Sequence, residues 1–342
     1  MALLRRFSAG AALAACVLAA APSARALDSR QLALVVNTRD PLSVEIGRYY
    51  AARRGISFQN VIRIEFAPGR AALTAREFSA LKARVDEQAL PHVQAFALAW
   101  AEPYRVDCMS ITSAFAFGFD SAFCAEGCNP TRPSSYFKSR ARQPFTQLGM
   151  RPAMAIAAAT FEQAKALIDR GVEADGTLPA GTAYLLAASD AARSVRNDSY
   201  PQVGKVLKGR VRARVLEQDA LRDAKDVLFY FIGKDRVDAL ETLSFVPGAI
   251  ADHLTSAGGQ LTNGGQMSAL RWLEAGATGS YGTVVEPCNL PQKFPHPALV
   301  IANYLRGDTL IEAYWKSVAM PGQGIFIGEP LAAPFRSRAR ER

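Results

Sequence analysis

The sequence predicts an α/β protein: a mostly parallel sheet sandwiched by helices in three layers, with an irregular cysteine-rich insertion. Three observations predict it. Short apolar runs alternate with amphipathic helical segments over residues 31–100 and again over 153–232. Between them, 101–150 is crowded with cysteine, proline and aromatic residues and has little helical period, the mark of a structured excursion rather than another sheet–helix unit. The composition, 49% hydrophobic and 21% charged over 342 residues, is that of a chain with a sizeable core.

The elements follow in order. Residues 31–36 read as a buried strand. Residues 41–54 form an amphipathic helix, with Val44, Ile46, Tyr49 and Tyr50 on its apolar side and Gly55 as its stop. A second strand spans 61–66. Thr74 with Glu77 is a capping box for a helix to about residue 89, and a third strand spans 95–100. After the insertion come a strand at 153–159, a helix at 161–170 capped by Gly171, and strands at 182–188, 211–216 and 227–232. Residues 248–256 and 266–274 read as short helices, and 298–305 and 309–318 as stronger ones. No internal repeat is visible. The domain reading is a leader, 1–26; an N-terminal α/β part, 27–150; a C-terminal part, 151–335; and a basic, solvated tail, 336–342.

The leader reading rests on Arg5 and Arg6, an alanine-rich run from Ala9 to Ala21, and Ala24-Arg25-Ala26 as a small-x-small cleavage site. It predicts export to the periplasm or beyond, with a mature start near Leu27. The run is too short for a stable membrane span. Leu13-Ala-Ala-Cys16 resembles a lipoprotein box, but the apolar run continues past it. The net charge of +9 shrinks once the leader and the arginine tail are set aside, so nucleic acid is not an expected partner.

Cys108, Cys124, Cys128 and Cys288 remain, an even set that predicts two disulfides in an exported chain. Three pairings are open; the reading favours Cys124–Cys128 with Cys108–Cys288. Cys-x3-Cys would also suit zinc, although no histidine is close in sequence. From 276 to 330 glycine, aromatic and proline residues are dense, as in Gly-Ala-Thr-Gly-Ser-Tyr-Gly at 276–282, which suggests a shaped surface. The segment 320–330 reads as the end of the fold.

No phosphate loop, dinucleotide fingerprint, His-Glu-x-x-His or Gly-x-Ser-x-Gly occurs, and no cofactor or metal is expected. His253 beside Asp252 is the candidate general base, although neighbours on a helix point apart. Cys288 is the candidate nucleophile, in competition with its use as half of a disulfide. Lys293 and His296 lie close by in sequence but could equally be surface groups. Asp190, Arg193 and Arg196 follow the strand at 182–188, where ligands meet α/β sheets. Lys234 and Glu286 join them as candidate binding groups.

Four segments carry a resemblance: Cys108-Met-Ser-Ile-Thr-Ser-Ala-Phe-Ala-Phe-Gly-Phe-Asp120, Ile168-Asp-Arg-Gly171, Pro247-Gly-Ala-Ile-Ala-Asp-His-Leu-Thr-Ser256 and Met320-Pro-Gly-Gln-Gly-Ile-Phe-Ile-Gly-Glu-Pro330. Together they resemble an uncharacterised family of exported bacterial proteins that occurs with exosortase and its polysaccharide-linked sorting system. A more distant likeness is to caspase-like cysteine peptidases of the gingipain kind. There, one strand ends in Gly-His-Gly, the next ends in the nucleophilic Cys, and a late Gly-Asp-Pro closes the domain. Val227-Leu-Phe-Tyr-Phe-Ile-Gly233 is similar to the first strand, but Lys234-Asp235 stands where His-Gly would be. The segment 251–255 stands near the Cys position without a Cys, and Gly328-Glu-Pro330 is similar to the closing motif. The resemblance implies a caspase-like sandwich without the Cys/His mechanism. The expected function is non-catalytic: binding an envelope protein, peptide or glycan in exosortase-linked biology. The alternatives are a divergent hydrolase using His253, with Cys288 or a water as nucleophile, and a two-lobed periplasmic small-molecule binder.

Overall fold

A computed structural model describes residues 26–337 apart from 126 and 208; the leader reading and the end of the arginine tail lie outside the described residues. The first part runs β1 (Leu32–Asn37), α1 (Pro41–Arg54), β2 (Val61–Ile64), β3 (Ala72–Leu73), α2 (Ala75–Gln88) and β4 (Ala95–Leu98). Asp40 caps α1 by accepting from the Leu42 amide, and Gly55 ends it in the left-handed region. The Thr74–Glu77 capping box starts α2. The excursion is more ordered than its composition suggests. It holds β5 (Arg105–Val106), β6 (Met109–Ser110), α3 (Ile111–Phe117) and α4 (Pro144–Leu148), and β5 and β6 join β3 in a small second sheet. Then follow β7 (Ala153–Ala155), α5 (Phe161–Ala174), β8 (Thr182–Leu186), α6 (Tyr200–Leu207), β9 (Arg212–Leu216), β10 (Val227–Gly233), β11 (Phe245–Leu254), α7 (Leu270–Glu274), β12 (Gly279–Thr283), α8 (Pro297–Leu305), α9 (Leu310–Trp315) and β13 (Gly324–Gly328).

Ten strands form one sheet in the order β2-β1-β4-β7-β13-β12-β11-β10-β8-β9. All neighbours are parallel except β12 and β13, which are antiparallel. The sheet is therefore two parallel five-stranded halves running in opposite directions and hydrogen-bonded at one central seam. Each half places its second strand outside its first and its later strands on the other side: β2-β1-β4-β7 on one side, β9-β8-β10-β11 on the other. The sequence shows no repeat, yet the topology repeats. β7 lies in the first half although it follows residue 150, and β13 returns to that half. A hydrogen-bonded seam between the halves does not fit two hinged lobes, so the small-molecule-binder reading loses its structural basis.

Both faces of the sheet are covered in the second half. Along β10, Phe229 and Phe231 enter the main core while Tyr230 and Ile232 enter a second cluster with Trp272. This explains why these strands read as continuous apolar runs. The outer strand β9 is largely exposed and carries Arg212 and Arg214, charges that discourage edge pairing.

Six expectations need correction. Residues 248–256 are not a helix: 248–254 belong to β11, because β10 and β12 flank the segment and pair with it on both sides. A buried apolar run of this length fits either state, and only the neighbours decide. The 266–274 helix shrinks to α7. Gly171 does not end α5 but sits inside it, because a Cβ there would lie 2.6 Å from the Glu329 side chain. The glycines of 276–330 shape the interior, not a surface. β12 and β13 are buried throughout, and Leu310 packs where a Cβ on Gly279 would be. The disulfides are Cys108–Cys124 and Cys128–Cys288, so neither favoured pair occurs, and the zinc reading loses its thiolates. Arg336, read as the start of a solvated tail, is docked instead: its Nη2 donates to the Leu27 carbonyl at 2.8 Å. No helix among the described residues is long and apolar enough to cross a membrane.

Candidate functional site

In parallel sheets the carboxyl ends of the strands are where loops can meet a ligand. At the ends of β8, β10 and β11 the structure brings together three of the expected binding residues. Gly233 and Leu254 are in register, so Lys234 and Thr255 leave the sheet side by side. The loop after β8 lies directly on the end of β10: a Cβ on Gly233 would collide with the Arg193 carbonyl. Arg193 Nη1 is 2.7 Å from Asp190 Oδ2, and its Nε donates to Thr255 Oγ1 at 3.2 Å. Thr255 in turn donates to Gln266 Oε1 at 2.8 Å. Lys234 Nζ lies 3.5 Å from Asp219 Oδ2, and that carboxylate also accepts from the Ser189 amide and hydroxyl, which hold its pKa below the usual range. Thr255, Gln266, Asp219 and Ser189 were missed from sequence. They are ordinary polar loop residues whose only signal is their position after a strand.

Beneath this rim lies a buried ion pair. Arg196 Nη1 is 2.6 Å from Asp252 Oδ1, with 3% and 1% of the side chains exposed. Arg196 also donates from Nη2 to the Ile232 carbonyl at 3.1 Å and lies over the Phe231 ring. Burial pushes the Asp252 carboxyl upward, partly opposed by Arg196. Arg196 is thus a tie between the β8 loop and the sheet rather than a free ligand group.

Asp252 and His253 are consecutive on a strand and so face opposite sides of the sheet. They form no dyad. Trp272 Nε1 donates to His253 Nδ1 at 2.8 Å, so the ring proton sits on Nε2, which donates to the Met267 carbonyl at 3.0 Å. Both nitrogens are engaged, and burial lowers the His253 pKa to about 4. The ring is neutral and closed to proton transfer from a substrate. Cys288 is bonded to Cys128 and offers no thiol. Glu286 is exposed and turns back to accept from the Cys288 amide at 2.7 Å, and it makes no contact with the rim residues. Lys293 is fully buried and His296 partly so, and burial lowers the pKa of both.

The chain matches no protein-family model, no curated protein and no solved structure.

The His253 geometry predicts a pH dependence. The unfolded chain protonates this residue near its ordinary value of 6.5, while the folded chain resists until about 4. Acid therefore favours the unfolded state. The stability contributed by the neutral ring is complete above the unfolded value and lost as pH falls toward 4, roughly 3 kcal/mol in all. Asp252 acts in the opposite sense, so the comparison that isolates His253 is urea unfolding of wild type against His253→Gln across this range. The variant should show the shallower loss on acidification; parallel profiles would contradict the assignment.

Proposed function

We propose that the protein is an exported, non-catalytic binding protein with a caspase-like three-layer sandwich, serving exosortase-linked envelope or extracellular-polysaccharide biology. The observation that carries this reading is the pair of residues at the adjoining ends of β10 and β11. The peptidase likeness puts an imidazole and a thiol there; this chain puts Lys234 and Thr255 there, each already held by a neighbour. His253 cannot substitute, because both ring nitrogens are occupied. Catalysis by proton transfer needs a group that can change its proton near working pH, and the closed imidazole does not. The rim of Asp190, Arg193, Lys234 and Asp219 carries balanced charge, suited to a polar partner such as an envelope protein, peptide or glycan.

Two features support export. The disulfides suit an oxidising compartment. Leu27 is fully buried and its amide donates to Glu312 Oε2 at 3.1 Å, so the residue that would follow the cut is seated in the packed fold. Cleavage there would place a new ammonium on a buried carboxylate, and intact mass of the periplasmic protein should show a start at residue 27.

The functional test is genetic. In a bacterium carrying exosortase, deletion of the chain should alter surface retention of sorted proteins or polysaccharide yield. A His253→Gln variant that melts like wild type should restore the phenotype fully, because the closed imidazole takes no part in binding at the rim. Failure of that folded variant to restore it, together with turnover of a peptide substrate by wild type alone, would replace this reading with the hydrolase.

A further inference from the structure

A cavity of about 540 Å³ lies in the first half of the fold, apart from the residues of the strand-end rim, between α2, α3 and α4 and the start of β4. Its size falls within the roughly 300–1,000 Å³ of small-molecule sites. Phe96, Phe115, Phe117 and Phe145 supply the walls, and Lys82, Asp86 and Arg151 are its charged groups. Arg151 is the unusual member. Its side chain is only 9% exposed, and its Cζ lies over the Phe145 ring, 3.3 Å from the centroid. Nε donates to the Val93 carbonyl at 3.0 Å. Beyond that bond its nearest counter-charge is Asp86, 3.8 Å from Nη1, too far for a hydrogen bond.

The surroundings hold this arrangement in place. Gln94 Oε1 accepts from the Phe145 and Thr146 amides, which seats the start of α4 and with it the ring under Arg151. Asp86 is shared with Lys82, its i,i+4 partner. Two cations thus meet one carboxylate, and the buried Arg151 side chain lacks a full partner beside the phenylalanine rings. A fork of N–H donors fixed against a ring is the arrangement that recognises a carboxylate, while phenylalanine walls select an apolar body.

We propose that this cavity is a binding site for small carboxylates with an aromatic or branched apolar body, the carboxylate on Arg151 and the body among the phenylalanines. The site is independent of the strand-end rim and of the function proposed for it. Burial that lowers the Arg151 pKa is the cost a bound anion would relieve.

The test is calorimetric titration of the full mature chain with 4-phenylbutyrate, its neutral amide, and the small polar anion acetate. The expected result is saturable binding of phenylbutyrate, about tenfold or more tighter than the amide, with acetate weaker still. Arg151→Met keeps the stem and stacking surface and should abolish the preference for acid over amide. Ala89→Phe, which fills the cavity from its lining, should weaken both ligands. If Arg151→Met does not fold, the acid/amide ratio in wild type and the Ala89→Phe result still decide. Equal affinity for acid and amide, undiminished binding in a folded Arg151→Met, or no binding of phenylbutyrate at millimolar concentration would each overturn the proposal.

Discussion

Asp252→Ala should destabilise the protein by about 3–5 kcal/mol, because it leaves a guanidinium buried with no counter-charge. Arg196 cannot escape by losing its proton. It is 3% exposed, its Nε already has no partner among the described residues, and Asp252 is the one carboxylate paired with it. The remaining bonds, to the Ile232 and Pro295 carbonyls, do not neutralise charge. The double replacement Arg196→Met/Asp252→Leu removes both charges and keeps most of the volume, so it should recover most of the loss. Urea unfolding of the two variants at pH 7 makes the comparison. A single variant within about 1 kcal/mol of wild type would mean that water reaches the pair and that the core beneath the rim is not dry.

Removing the Cys128–Cys288 bridge should cost about as much. It ties the excursion to the loop after β12 and closes 160 residues of sequence, against 16 for Cys108–Cys124. In the chain-entropy account the long closure is worth about 5 kcal/mol and the short one about 3, with measured values for such bridges spread over about 2–5. Cys128→Ser/Cys288→Ser should therefore lower the unfolding midpoint more than Cys108→Ser/Cys124→Ser. It should also open the loop around Glu286 to protease first, since Cys288 and Asn289 both sit at positive φ, 60° and 53°, and depend on their surroundings to stay there. Mass spectrometry of unreduced peptides checks the premise. Linked 128/288 peptides are expected; a Cys124–Cys128 linkage would end this argument, and only an unlinked Cys288 would return it to the candidate nucleophiles.

Much of the first half of the fold was legible in the chain. β1, α1, α2 and β4 announce themselves through apolar period and capping chemistry, both local properties. β11 was misread because Gly-Ala-Ile-Ala followed by Asp252 and His253 satisfies a helical and a buried-strand pattern alike. β13 was missed because a five-residue strand beginning and ending in glycine has almost no alternation to detect. The site was half legible. Position after a strand pointed to Asp190, Arg193 and Arg196, and the first two do meet Lys234 at the rim. Arg196 instead became a buried tie, and nothing in its neighbours' identities distinguishes it from Arg193. His253 drew notice as a rare histidine, yet its partner Trp272 is 19 residues away and invisible as such.

By itself, then, the amino-acid order determined an α/β alternation and an even set of four cysteines beyond residue 26. Those are facts of residue type and short-range spacing, and short-range physics reads them directly. The tertiary structure alone decided that two oppositely directed half-sheets join at a glycine-lined seam, which cysteines bond, and which side of the sheet each of two adjacent residues faces. Strand order, disulfide pairing and burial all depend on contacts between segments far apart in the chain, whose energies no local window contains.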